Sequence, residues 1–113
     1  MTQSMRDLSW TAAEKKIARA AFNLALNREL ASARREVESM LAGSPDVGAV
    51  WHVHDYLSDK RREIDTKYDY RYSVLISGFA RLVREGWLSE GDLRGLAAEK
   101  LNMITGIVAL GRR

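Results

Sequence analysis

The sequence contains no cysteine, one proline and two histidines, and each shortage removes a class of chemistry. Without cysteine there are no disulfides, no thiolate metal sites and no thiol nucleophile, a pattern that fits a reducing compartment and makes a cytoplasmic protein the expectation. The eight glycines stand apart, never in the G-x-G-x-x-G or G-x-x-x-x-G-K spacing that wraps backbone N–H groups around phosphate. No G-x-S-x-G turn is present to expose a serine nucleophile. Long apolar runs are missing too. The uncharged stretches at residues 72–80 and 101–111 are roughly half of the ~20 residues that span a bilayer, so no membrane insertion is expected. The opening MTQSMRDLSW lacks the ~7–15-residue apolar core of a secretory signal, so no leader is expected. Charge of one sign is also scarce: 18 Lys plus Arg against 15 Asp plus Glu leave +3, dispersed rather than massed as in a dedicated nucleic-acid binder. At 113 residues the chain is one domain's worth, which excludes an enzyme with separate cofactor and substrate lobes.

What the chain does have is apolar residues at helical spacing. Thr11 and Glu14 form a T-x-x-E capping box and place the start of a first helix near Thr11. Ile17, Ala21, Phe22, Leu24, Leu26, Leu30, Ala33, Val37, Met40 and Leu41 then recur at three- and four-residue steps, and Gly43 is expected to close the helix in the left-handed conformation. The lone proline, Pro45, sits in the turn cluster Ala42, Gly43, Ser44, Pro45, Asp46, where a helical hairpin pivots. Asp46 is expected to cap a second helix with the inward stripe Val47, Val50, Trp51, His54, Leu57, Arg61, Ile64 and Tyr68. Residues 72–80 are β-branched enough to suggest a strand, but Phe79, Leu82 and Val83 continue the helical period to Gly86, which predicts a third helix. Ser89 and Asp92 read as a second capping box opening a helix through Leu93, Leu96, Ala97, Leu101 and Ile104, with fraying from Gly106 onward. The expected fold is all-α: a long helical hairpin with a small helical pair at its end.

A hairpin of this length covers only one flank of each helix, and a chain this short cannot wrap every apolar position, three Trp among them, around one core. Self-association is the expected remedy, as a twofold homodimer with the second helix antiparallel to its copy. Arg61 sharpens the expectation, because it interrupts the apolar stripe between Leu57 and Ile64, where a buried guanidinium needs a carboxylate. Asp55 lies on another flank of the same helix, so the expected partner is Asp55 of the second protomer. Lys60, Arg62 and Glu63 of the same charge run read as a solvated face.

No set of residues supports catalysis. His52 and His54, two apart on a helix, diverge by about 200° and cannot share an ion. His54 next to Asp55 matches the HD pair of metal-dependent phosphohydrolases, but the further upstream His those require is missing. Tyr68, Tyr70 and Tyr72 among basic residues could stack on single-stranded nucleic acid; Asp65 and Asp69 oppose phosphate there, and packing against the hairpin is the simpler role. Trp87, beside Gly86, is read as a plug at the turn.

Residues 50–75, VWHVHDYLSDKRREIDTKYDYRYSVL, closely resemble the fluorescence recovery protein family of cyanobacteria, as does GLAAEK at 95–100, and the similarity extends over roughly residues 8–107. The resemblance implies an all-helical homodimer with an elongated stalk, about residues 11–70, and a small head, about 71–107. It implies a non-enzymatic regulator without cofactor or metal. Such a protein binds the photoactivated orange carotenoid protein, mainly through that partner's C-terminal domain, and speeds its return from red to orange, ending photoprotective quenching at the phycobilisome. By position, it implies a dimer interface at Trp51, His54, Asp55 and Arg61, with Val50 adjoining and Leu57 on the same stripe. It points to a partner-binding head at Tyr72, Ser77, Phe79, Lys100 and Met103; Ser77 replaces a family aromatic and Met103 a family lysine. A helical dimeric adaptor with a different protein client, in stress or signalling, stays open beside it.

Overall fold

The computed structural model describes residues 8–43 and 45–111. They form helices α1 (Ala12–Ala42), α2 (Ala49–Lys67) and α3 (Leu75–Glu85), a 3₁₀ helix (Glu90–Leu93) and α4 (Ala98–Gly111), with no strand among the described residues. The expected all-helical class is therefore met, and so is the arrangement of a long hairpin followed by a shorter pair.

Helix α1 starts as its capping box predicts. The Glu14 N–H donates to Thr11 Oγ1 and the Thr11 N–H to Glu14 Oε1, both at 3.1 Å. Its 31 residues end at Gly43, which differs from expectation in being right-handed, with φ −82° and its N–H donated to the Ser39 carbonyl. Left-handed closure falls instead at Gly86, φ 87°, where the chain turns sharply out of α3. Asp46 also departs from its expected role: Oδ1 accepts the Gly48 N–H at 2.9 Å, a local turn, and α2 begins at Ala49 without a side-chain cap. Ser44 of that turn lies outside the described residues.

Ser89 and Asp92 do cap each other's backbone, but the helix they open is only the 3₁₀ turn. Gly95, at φ 108°, then breaks the path; that backbone conformation strains any side chain, and an added Cβ would also stand 2.4 Å from Ile17 Cδ1. α4 therefore starts three residues later, its entry held from α1: the Ala97 N–H donates to Glu14 Oε2 at 2.9 Å. Contrary to the expected fraying from Gly106, α4 continues to Gly111 with Val108 only 3 % exposed, because Val108 packs into the core. Arg112 and Arg113 lie outside the described residues.

The core sits at one end. Ala18, Ala21, Phe22 and Ala25 of the first half of α1 pack with Leu8 and Trp10 against Leu75, Ile76, Phe79 and Leu82 of α3 and Ile104 and Val108 of α4. The linker between α2 and α3 is strapped onto α1 by its tyrosines, with Tyr68 and Tyr70 edge-on to Phe22 at 5.4 and 4.9 Å and Tyr72 5.6 Å from Trp10. Packing against the hairpin is thus the role these rings have. Trp87 is half-buried against the same core, as a turn plug should be. The far end of the hairpin has little apolar burial beyond Ala33 and Ala49. The molecule measures 60 × 32 × 22 Å with a radius of gyration of 17.1 Å. A compact chain of this length would have about 13 Å.

No helix of the described residues is long and apolar enough to cross a membrane.

Candidate functional site

Helix α2 has two dissimilar faces. Ala49, Val53, Tyr56, Lys60, Ile64 and Lys67 are buried or half-buried and follow the 3–4 spacing of a seam against α1. The stripe predicted to point inward points outward over most of its length: Val47 is 88 % exposed, Val50 57 %, Trp51 69 % and Leu57 43 %. Apolarity misled the prediction because the true seam is itself polar, carrying Tyr56, Lys60 and Lys67. The outward stripe leads onto an open groove of about 440 Å³ between the helices, lined by Leu26, Leu30, Ala33, Leu57, Arg61 and Ile64 among others. Trp51, Val50 and Leu57 standing in water on α2, with Val47 in the turn before it, form the kind of patch that marks an interaction surface.

The polar members of the stripe lie on the same surface. His54 is edge-on to Trp51, centroids 6.2 Å apart, and its Nδ1 lies 3.4 Å from Asp55 Oδ1. Arg61 is exposed within the single chain, and Asp65 one turn on gives it a loose partner at 3.8 Å. An exposed pair of this kind contributes little on its own and leaves the guanidinium available.

The seam side of α2 holds a charge cluster that sequence reasoning missed. Lys67, its side chain fully buried, donates to a Glu29 carboxylate oxygen and to Glu85 Oε1, both at 2.7 Å, and to Glu63 Oε1 at 3.4 Å. Glu29, 1 % exposed, also accepts from Tyr68 Oη at 2.9 Å and from Lys60 Nζ at 3.5 Å. Lys60 therefore belongs to this cluster and not to the solvated face expected of it; Arg62, exposed and paired with Asp59, does lie on that face. Burial works against every charge here, yet the opposite charges prevail. Lys67 and Lys60 are held above the ordinary lysine value, and Glu63 and Glu85 below the ordinary carboxylate value. Burial and the Glu29 hydrogen bond push the Tyr68 hydroxyl up. The carboxylates of Glu29, Glu63 and Glu85 lie within 4.8 Å of one another, but the Lys67 ammonium fills the position between them, so the chain supplies its own cation. One glutamate from α1, one lysine from α2 and one glutamate from α3 thereby lock the three helices together. The signal was present: Glu29 falls on the row Ala18, Phe22, Ala25, Ala33, the same anomaly that singled out Arg61.

A second buried pair closes the other side of the core. Lys100 donates to the Ser9 carbonyl at 2.8 Å and to Glu14 at 3.2 Å. Burial pushes the Glu14 carboxyl up, but the N–H groups of Ala97 and Thr11 and the Lys100 ammonium overcome it and hold the carboxyl at about 2. Arg28 adds an outer tie, donating to Asp92 Oδ2 at 2.8 Å and to the Trp87 carbonyl at 3.0 Å.

The head positions separate. Phe79, 1 % exposed, is a core residue, and Lys100 is buried on Glu14, so neither offers a surface to a partner, because each completes the packing of the head. Ser77 is exposed, its hydroxyl turned back to donate to the Val74 carbonyl at 3.1 Å. Tyr72 keeps 36 % of its surface in water, and Met103 is half-buried against the core. Val50, Trp51, His54, Leu57 and Arg61 are exposed along the outward stripe of α2, and Asp55 is exposed on the flank beside it.

Comparison with known proteins agrees with this architecture. The profile of a family described as photoprotection regulator fluorescence recovery protein matches residues 10–108. The fluorescence recovery protein of Synechocystis sp. is 40 % identical over 101 residues, covering 89 % of this chain and 93 % of that one. Two solved structures superpose closely. The Fremyella diplosiphon fluorescence recovery protein gives a TM-score of 0.81 at 40 % identity, and the Synechocystis protein 0.82 at 39 %, each covering 89 % of this chain and 99 % of the other. With its helical hairpin, its strapped linker and most of its terminal helical pair within the matched span, the chain belongs to the fluorescence recovery protein family of photoprotection regulators.

Proposed function

We propose that this chain is a non-enzymatic regulator that acts as a homodimer on photoactivated orange carotenoid protein, accelerating its red-to-orange relaxation and so ending quenching at the phycobilisome. Family membership supports the photoprotective role. The single structural observation that carries the dimer is the exposed α2 stripe with Trp51 69 % in water. In the dimer, Val50, Trp51, His54 and Leu57 of two antiparallel α2 helices cover one another, and Asp55 of each protomer pairs with Arg61 of the other. That exchange supplies register, since a shifted pairing leaves charges buried and unmatched. The hairpin over about residues 11–70 acts as stalk and residues 71–107 as the head that meets the client, where Ser77 is exposed and Tyr72 and Met103 are partly so.

A regulator of this kind forms no covalent bond. It shifts a conformational equilibrium or its rate only by binding the states unequally, so it must hold the red form, or the path out of it, more tightly than the orange form. The test is absorbance recovery in darkness after photoconversion, with and without the protein. A faster return at saturating dimer is expected; an unchanged rate overturns the reading. Ser77 and Met103, small or uncharged at positions where the resemblance implies an aromatic and a lysine, favour a second reading in which the same dimer serves a different protein client.

A further inference from the structure

We infer that the groove bounded by the end of α2, α3 and α4 is a docking site for an extended, acidic segment of the protein client. This rests on the reading above and names the chemistry of the contact. The groove, about 370 Å³, is lined by Thr66, Val74, Gly78, Arg81, Arg84 and Ile107 among others, and it shares no residue with the exposed α2 stripe. Self-association through that stripe leaves these residues uncommitted.

Three observations point to the occupant. First, glycine at position 78 weakens the middle of α3, and nothing inside the chain asks for it, since an added Cβ would find no atom within 4 Å. The missing side chain leaves the helix backbone open to close approach, with the short Ser77 next to it in the groove lining. Second, the acids around the groove are committed. Asp69 holds Arg71 through both carboxylate oxygens at 2.9 Å, and Glu85 is shared between Lys67 and Arg81. Third, Arg84, one turn on from Arg81, has no ion pair among the described residues. Its guanidinium lies over Gly111, where a Cβ would come within 2.6 Å of Nη1. With Asp69 of the lining spent on Arg71, the uncommitted charge of the groove is positive, and the apolar Val74 and Ile107 suit a strand-like segment with carboxylates on one edge.

The experiment measures acceleration of dark recovery at sub-saturating protein for wild type, Arg84→Glu, Arg84→Lys and Gly78→Leu. Light scattering reports the oligomeric state, and circular dichroism the fold. Arg84→Glu and Gly78→Leu should each slow the acceleration about tenfold, while Arg84→Lys keeps most of it and all four proteins have the same mass. Raising salt should weaken wild type more than Arg84→Glu. An active wild type with unimpaired variants overturns the groove alone, even if Gly78→Leu misfolds, because Arg84 is exposed and its reversal decides. A change of oligomeric state in Arg84→Glu makes a second copy the occupant and also overturns it. An inactive wild type removes the functional reading, and the groove proposal with it.

Discussion

Replacing Lys67 by methionine tests the lock between the three helices most directly. Methionine nearly fills the lysine volume, so the change removes charge and donors while leaving little cavity. What remains is Glu29, 1 % exposed, with the Tyr68 hydroxyl at 2.9 Å and the Lys60 ammonium at 3.5 Å. Stranding one member of a buried pair costs about 3–5 kcal/mol, and Lys60 places the expected loss near the lower end, about 3 kcal/mol. For a domain of this size that is a fall in Tm of about 12 °C. Removing both charges, in Lys67→Met with Glu29→Gln, should recover about 2 kcal/mol, because the acid no longer sits unpaired. Denaturant unfolding followed by far-ultraviolet circular dichroism at one fixed protomer concentration measures all four corners of the cycle. A single-variant loss under about 1 kcal/mol, or a double variant as costly as the sum of the singles, refutes the account.

Asp55→Arg or Arg61→Asp should each turn the dimer into monomer at micromolar concentration, and the double exchange should restore part of it; gel filtration with light scattering decides. Acid should weaken the fold. The folded-state values of Glu14, about 2 against an ordinary 4.5, and of Glu63 and Glu85 are depressed, so their contribution is complete above the ordinary value and is lost as pH falls through the folded ones. Lys67 is raised, so its share is complete below an ordinary 10.5 and is lost only as pH rises beyond that. A pH series of unfolding curves with a plateau between those limits is the expected result, and stability that climbs below pH 4.5 contradicts it. Gly95→Ala, strained at φ 108° and pressed against Ile17, should cost about 1–3 kcal/mol. Gly78→Ala, in open space within α3, should instead stabilise by about 0.5–1 kcal/mol, and a thermal melt of both variants checks the contrast.

Local signals in the chain were legible where the physics is local. Thr11 with Glu14, and Ser89 with Asp92, cap as their spacing says, because both partners of each bond lie three residues apart. Signals that depend on distant partners were not. After the 3₁₀ turn the chain reverses at Gly95, whose φ of 108° sits close against Ile17 from far earlier in the chain. α2 exposes its apolar stripe because its seam answers to a glutamate on α1, and an amphipathic pattern does not say which of two faces meets its own chain. Phe79 and Lys100 read as candidates for the partner-binding head, yet one fills the core and the other neutralises Glu14. The buried Glu29 went unnoticed because a glutamate in a charge-rich helix looks ordinary until its row of alanines is traced.

The cap that α1 lends to α4 has a practical corollary. Glu14 holds the Ala97 N–H, and the alanine-rich opening turns of α1 form one wall of the terminal core. A protease cutting between α2 and α3 would therefore release neither a free-standing stalk nor a free-standing head: the first piece would bare Phe22 and its neighbours, the second would lose its floor. Nicked halves should stay associated, and engineers seeking a place to splice in foreign sequence are better served by the bend near Pro45, remote from that shared wall.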